Sequence, residues 1–131
     1  MGADAVLFIM GSAPIAKFLD WEVLATSLGL SVLAESHQEV ELMQALALKT
    51  PLIGVNNRDL TQFTTNIETT LKLKERVPNE RILVTESGIQ NAGIVAKMSA
   101  AGVGTYLIGG ALMEAEDPGA ALASLFAGTL L

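Results

Sequence analysis

The sequence contains no cysteine and a single histidine, His37. Disulfides and thiolate metal sites are therefore excluded, and one imidazole is too few for a zinc cluster. Basic residues are also scarce: 8 Lys and Arg stand against 14 Asp and Glu, a formal net charge of -6. With no basic cluster to hold a phosphate backbone, nucleic acid is not expected as a partner. Hydrophobic residues make up 50% of the chain, yet no apolar run approaches the roughly 18 to 20 residues of a membrane span. No basic segment precedes the apolar run from Ala5 to Met10, as it would in a secretion signal. A cytoplasmic location without membrane partners is the expectation.

What the chain has in quantity is short apolar runs that stop at polar residues or glycine. Ile82-Leu83-Val84-Thr85 leads into Glu86-Ser87-Gly88, the way a buried strand ends when its tip lines a site. A carboxylate there needs a partner or a ligand to offset its desolvation, and Gly88 lets backbone N–H groups approach that ligand closely. Thr105-Tyr106-Leu107-Ile108 repeats the design and ends in Gly109-Gly110 before Ala111-Leu112-Met113, which can begin a short helix. Glycines at a strand-to-helix turn suit an anion, because free N–H groups point at it.

The other runs have the same form. Ala5 to Met10 predicts a first strand, broken by Gly11-Ser12. Pro14 opens a helix whose Ile15, Phe18, Leu19, Val23, Leu24 and Leu28 are expected to face inward, with Asp20 and Trp21 outside. Ser31 to Glu35 predicts a second strand, and Ser36-x-x-Glu39 a capping box for a helix reaching about Leu48. A third strand from Pro51 to Val55 finishes in Asn56-Asn57-Arg58-Asp59, a polar cluster denser than a turn requires. Thr65-x-x-Glu68 forms a second capping box, for a helix carrying Ile67, Leu71 and Leu73 towards Val77. A helix from Asn91 to Ala101 stops at Gly102, and Asp117-Pro118 caps a last one with Leu122, Leu125 and Phe126 inward.

Five strand-and-helix units at intervals of about 20 to 30 residues predict parallel β/α packing in one domain over residues 1–131. Right-handed crossovers then bring all the strand tips to one face, where the sites of barrels and open α/β sheets lie.

The stretches Gly2-Ala3-Asp4-Ala5, Leu33-Ala34-Glu35, Leu52-Ile53-Gly54-Val55-Asn56-Asn57-Arg58-Asp59-Leu60, Glu86-Ser87-Gly88-Ile89 and Leu107-Ile108-Gly109-Gly110-Ala111-Leu112-Met113 resemble the later strands of indole-3-glycerol phosphate synthase. The segment from Ile53 to Leu60 is the most specific, and Ser12 to Leu28 departs most from the family pattern. The resemblance implies a TIM-barrel (β/α) fold of eight strands, of which this chain would be the C-terminal half, strands four to eight. It implies a lyase of tryptophan biosynthesis that closes an indole ring on a phosphorylated substrate, with loss of carbon dioxide and water, and needs no metal or organic cofactor.

Carried over residue by residue, the resemblance assigns Glu35 to proton transfer during dehydration and Asn56 to substrate positioning, with Arg58 in support. Glu86 and Ser87 orient the substrate, and Gly88, Gly109 and Gly110 cradle its phosphate. Where the family often has serine or glutamate, this chain has Gly110. The family's general-acid lysine, with a second lysine and a glutamate, is expected before Met1, so the chain alone is expected to be inactive. Lys17, Lys49, Lys72, Lys74 and Lys97 fall on helices or helix ends.

Plainer readings stand beside these. Glu86 could be satisfied by Arg58 or Arg81, Asn56-Asn57 could be a simple turn, and Arg58 could pair with Asp59. His37 reads as an exposed first-turn residue, and Met43, Met98 and Met113 as core fillers. Competing functions are another phosphosugar barrel, such as a phosphoribosyl isomerase, and a non-catalytic half-barrel that binds phosphate or merely associates. Open strand edges predict a homo-oligomer or pairing with a complementing N-terminal half.

Overall fold

A computed structural model describes residues 1–129. Its order is β1 (Ala5–Ile9), α1 (Ile15–Ser27), β2 (Ser31–Ser36), α2 (Glu39–Ala45), β3 (Leu52–Asn56), α3 (Glu68–Leu73), β4 (Ile82–Glu86), α4 (Ala92–Ala100), β5 (Thr105–Leu107), α5 (Gly110–Met113) and α6 (Pro118–Leu125). A 3-10 turn, Lys74–Arg76, follows α3. The five strands form one sheet in sequence order, every neighbouring pair parallel. An open, all-parallel sheet with a helix in each crossover is part of a TIM-barrel (β/α) fold. No helix of the described residues is long and apolar enough to cross a membrane.

Strand alternation sorts the side chains into two faces. Phe8, Val32, Ala34, Ile53 and Val55 point to the helices and pack against Phe18 and Ala25 of α1 and Leu42 and Ala45 of α2. Tyr106 joins a second cluster around Val95, Met98 and Leu125. The other face carries no helix and is organised in rungs by the register. Leu7, Leu33, Leu52 and Ile82 are aligned at the bottom, Ile9, Glu35, Gly54, Val84 and Thr105 above them, and Asn56, Glu86 and Leu107 at the top. Leu7, Ile9, Ile82 and Leu107 are exposed on this face. Beside β1 lies an apolar groove of about 420 Å³ whose lining includes Val6, Phe8, Trp21 and Leu28.

Helix ends depart from expectation where tertiary contacts claim the capping side chains. Ser36 is buried and donates to the Gly54 carbonyl at 3.0 Å instead of capping α2, whose N-cap is Gln38. Thr65 pairs with Arg58 in an antiparallel bridge, while Asn66 Oδ1 takes the Glu68 N–H at 3.0 Å. Asn91 and Asp117 do cap α4 and α6 through their side chains. In α1 the inward residues are Phe18, Glu22 and Ala25, and Leu19, Val23, Leu24 and Leu28 are exposed. The helix turns this way because Glu22 accepts the backbone N–H groups of Lys49 at 2.9 and 3.0 Å and of Thr50 at 2.8 Å. Trp21 is exposed at one edge but meets Phe8 and Phe18 edge-on. Leu122 of α6 is exposed, as are Met43 and Met113, whereas Met98 is core.

Candidate active site

A cavity of about 780 Å³ opens at the C-terminal ends of β2 to β5 and is lined by Glu35, Asn56, Arg58, Glu86, Ser87, Gly88, Gly109 and Gly110. Residues from four separate strand tips are thereby brought to one place. None of the chain's lysines lines it.

Glu35 and Glu86 are its buried acids, at 4% and 2% exposure. Their strands are separated by β3, whose Gly54 is level with Glu35 and whose Asn56, one rung up, is level with Glu86. A Cβ at Gly54 would lie 2.2 Å from Glu86 Oε1, so a side chain there would displace the Glu86 carboxyl from its place over the sheet. No arginine balances Glu86: Arg81 donates to the carbonyls of Thr50 at 2.8 Å and Leu46 at 3.2 Å, at the opposite end of the sheet. Burial, then a hydrogen bond to Glu35 and the Glu35 charge, push the Glu86 carboxyl from 4.5 up to about 8. At neutral pH Glu86 therefore holds its proton, which suits a proton donor facing the cavity. Oε1 of Glu86 meets no donor among the described residues.

Asn56 fixes Glu35 from the next strand. Its Nδ2 donates to Glu35 Oε1 at 3.0 Å while its Oδ1 accepts the Arg58 N–H at 3.0 Å. Asn57 has a different task. It is buried and donates to Thr85 Oγ1 and the Ser87 carbonyl, both at 3.0 Å, while accepting from Thr70 N at 3.1 Å and Thr70 Oγ1 at 2.8 Å. It ties α3 to the turn after β4. That turn is left-handed at two successive residues, Ser87 at φ 65 and Gly88 at φ 77, and for a residue with a Cβ this costs about 1–3 kcal/mol. The Asn57 bond to the Ser87 carbonyl holds it there.

Arg58 is exposed, and its neighbour Asp59 does not pair with it. Asp59 Oδ1 instead accepts the N–H groups of Gln62 at 3.0 Å and Thr61 at 2.7 Å, and these bonds, Gln62 first, hold its carboxyl below the usual range. At the other rim a Cβ on Gly109 would meet nothing within 4 Å, and one on Gly110 only Glu114 Oε1 at 3.8 Å. These glycines leave open room over the start of α5. Glu114 also lines the cavity, a negative charge the sequence did not flag.

His37 was expected in solvent and is not there. Its side chain is 17% exposed and sits between Glu35 and Glu41. Gly54 and His37, like Glu114, are residues at the site that sequence reasoning missed. The clash that requires Gly54 arises across a strand boundary, while Glu35-x-His37-x-x-x-Glu41 is a spacing of charges that could have suggested the cluster.

A partial (β/α) barrel with buried carboxyls and glycine turns at its strand ends has the layout of the C-terminal face on which barrel enzymes carry their sites. The model of the indole-3-glycerol phosphate synthase family matches residues 1–125. Indole-3-glycerol phosphate synthases from two strains of Acidithiobacillus ferrooxidans are each 53% identical to the chain over 126 residues, which is 96% of this chain and 48% of each relative. The chain belongs to the indole-3-glycerol phosphate synthase family and spans about half the length of the curated relatives it matches. In fold alone it is also similar to the crystal structure of the Amycolatopsis orientalis BexX/CysO complex, at TM-score 0.57 and 20% identity over 90% of this chain and 53% of that one.

Proposed function

We propose that this chain provides the later half of an indole-3-glycerol phosphate synthase site, in which 1-(2-carboxyphenylamino)-1-deoxyribulose 5-phosphate closes its indole ring with loss of carbon dioxide and water. The observation that carries the proposal is the buried Glu35–Glu86 pair facing the same cavity as the turns at Gly88 and Gly109-Gly110. In this reading the backbone N–H groups at those turns receive the phosphate, with Arg58 as counter-charge. Ser87 and Asn56 orient the sugar chain, and the carboxyl pair moves the proton that dehydration requires. Decarboxylation and ring closure need a positioned general acid beyond this pair, and Lys17, Lys49, Lys72, Lys74 and Lys97 lie outside the cavity. The chain alone is therefore inactive in this proposal, because a missing general acid costs about 10² to 10⁴ in rate.

Calorimetry with inorganic phosphate tests the cradle. Binding is expected for the native chain and lost in Gly109→Trp, whose side chain enters open space; equal binding by both proteins would overturn it. A turnover assay on the same preparation should read zero, and should rise when the N-terminal half of a relative is added. Turnover by the chain alone would show that one of its own lysines is recruited.

The same proposal extends to a partner. The helix-free face and the edges at β1 and β5 invite cover by another half-barrel, supplied by a second copy or by a complementing segment.

A further inference from the structure

His37 is a titratable side chain at the strand tips that the proposed chemistry leaves without a task. Its Nε2 lies 3.2 Å from Glu35 Oε1 and its Nδ1 3.2 Å from Glu41 Oε2. The His37 backbone N–H donates to the same Glu41 oxygen at 2.7 Å, and Gln38 Nε2 donates to Glu41 Oε1 at 3.2 Å. Gly11, in the loop after β1, leaves room for this arrangement, since a Cβ there would stand 3.0 Å from Glu41 Oε1. Glu41 is thus fixed from its own helix and grips the imidazole at one nitrogen.

The other nitrogen sets the chemistry. If Nδ1–H is directed at Glu41, a bare Nε2 would face Glu35 Oε1 lone pair to lone pair, an arrangement that two buried heteroatoms at this distance avoid by holding a proton between them. Nε2 of His37 has no other hydrogen-bond partner among the described residues, and Glu35 Oε1 stands 3.2 Å from it. Glu35 Oε1 already takes Asn56 Nδ2 at 3.0 Å, so Nε2–H would be a second donor on that oxygen, and donors to a carboxylate favour its ionised form.

We propose that His37 is a positioning residue: clamped by Glu41, it donates Nε2–H to Glu35 and keeps Glu35 the ionised member of the pair, leaving the shared proton on Glu86. The charged groups facing it are Glu35 at the end of β2, Glu41 of α2, and Arg58 and Asp59 of the loop after β3. From β1 and the loop after it, the apolar Ile9 and Met10 line the same pocket. Asp59 feels the His37 charge, and Glu86 reaches it only through Glu35. This inference rests on reading Glu35 and Glu86 as the proton-transfer pair.

Carboxyl-labelled glutamate followed by carbon NMR on the purified chain, without substrate, provides the test. In the native protein the step at about 8 should appear on the Glu86 carbon, with the Glu35 carbon flat through it. In His37→Ala the step should spread to Glu35, reaching about half the amplitude in the limit of two equivalent acids. His37→Gln, which keeps an N–H donor, should return Glu35 to a flat line. Should the alanine variant lose its native amide spectrum, Glu41→Gln, which loosens the ring and preserves the backbone bond, should give the same spreading. A flat Glu35 with an unmoved Glu86 step in His37→Ala, or in Glu41→Gln, overturns the proposal. Because no ligand enters the measurement, absent phosphate binding would count against the proposed function alone.

Discussion

Glu86 concentrates the site's energetics in one side chain. It retains a proton up to about 8, against 4.5 in an unconstrained chain, so between those values the folded state holds a proton that the unfolded chain has lost. Stability must then fall as pH rises through this window. At about 1.4 kcal/mol for each tenfold change in proton affinity, and discounting for an acid that borders an open cavity, the loss totals about 2 to 4 kcal/mol. Urea denaturation of the chain at several pH values across the window should show this slope, and Glu86→Gln should flatten it. A slope unchanged in that variant would place the proton elsewhere. The sequence announced Glu86 through the mismatch between a carboxylate and an apolar strand. It did not announce Gly54, because the need for a missing Cβ is created by the side chain of a neighbouring strand in a fixed register. His37 escaped notice for a related reason: its burial comes from the α2 turn that folds Glu41 back over it.

At the scale of elements, strands were legible and helix faces only in part. Each apolar run made a strand within a residue or two of expectation, since a strand in a parallel sheet needs only a short continuous run. Helix α1 keeps Phe18 and Ile15 against the core as its apolar spacing suggests, but Glu22, a charged residue, takes the position that Val23 or Leu24 seemed to claim; Val23 is 72% exposed. Nothing local says that Glu22 will meet the N–H groups of Lys49 and Thr50. Asn57 poses the same problem, a residue with turn chemistry that became a buried tie between α3 and the turn after β4. Asn57→Ala should cost about 2–4 kcal/mol, because it strands the polar groups of Thr70 and Thr85 without partners. It should also weaken phosphate binding by releasing the Ser87-Gly88 turn, while the Glu86 titration persists. Thermal unfolding and calorimetry on this variant check both effects; undiminished stability would show that Asn57 is dispensable to the fold.

As a whole, the molecule presents a parallel sheet with both lateral edges unpaired and one face without helices. Leu7, Ile9, Ile82 and Leu107 stand exposed there, and burying such side chains gains about 25 cal/mol per Å² of apolar area. Association is the expected response. Sedimentation at low micromolar concentration should find the purified chain as a dimer or larger assembly, with Ile9→Glu shifting it towards smaller species. A compact monomer of 13.7 kDa with cooperative unfolding would refute this. The barrel-like architecture itself was readable from the rhythm of runs and breaks, whereas the rungs of the bare face required the register. Those rungs carry one more implication. Glu35, Gly54 and Glu86 are spaced by backbone ladders inside the sheet, and the connecting helices lie outside it. Insertions and deletions in those connections can therefore accumulate over evolutionary time without moving the two acids apart, so the acid pair is insulated from drift in the surrounding sequence.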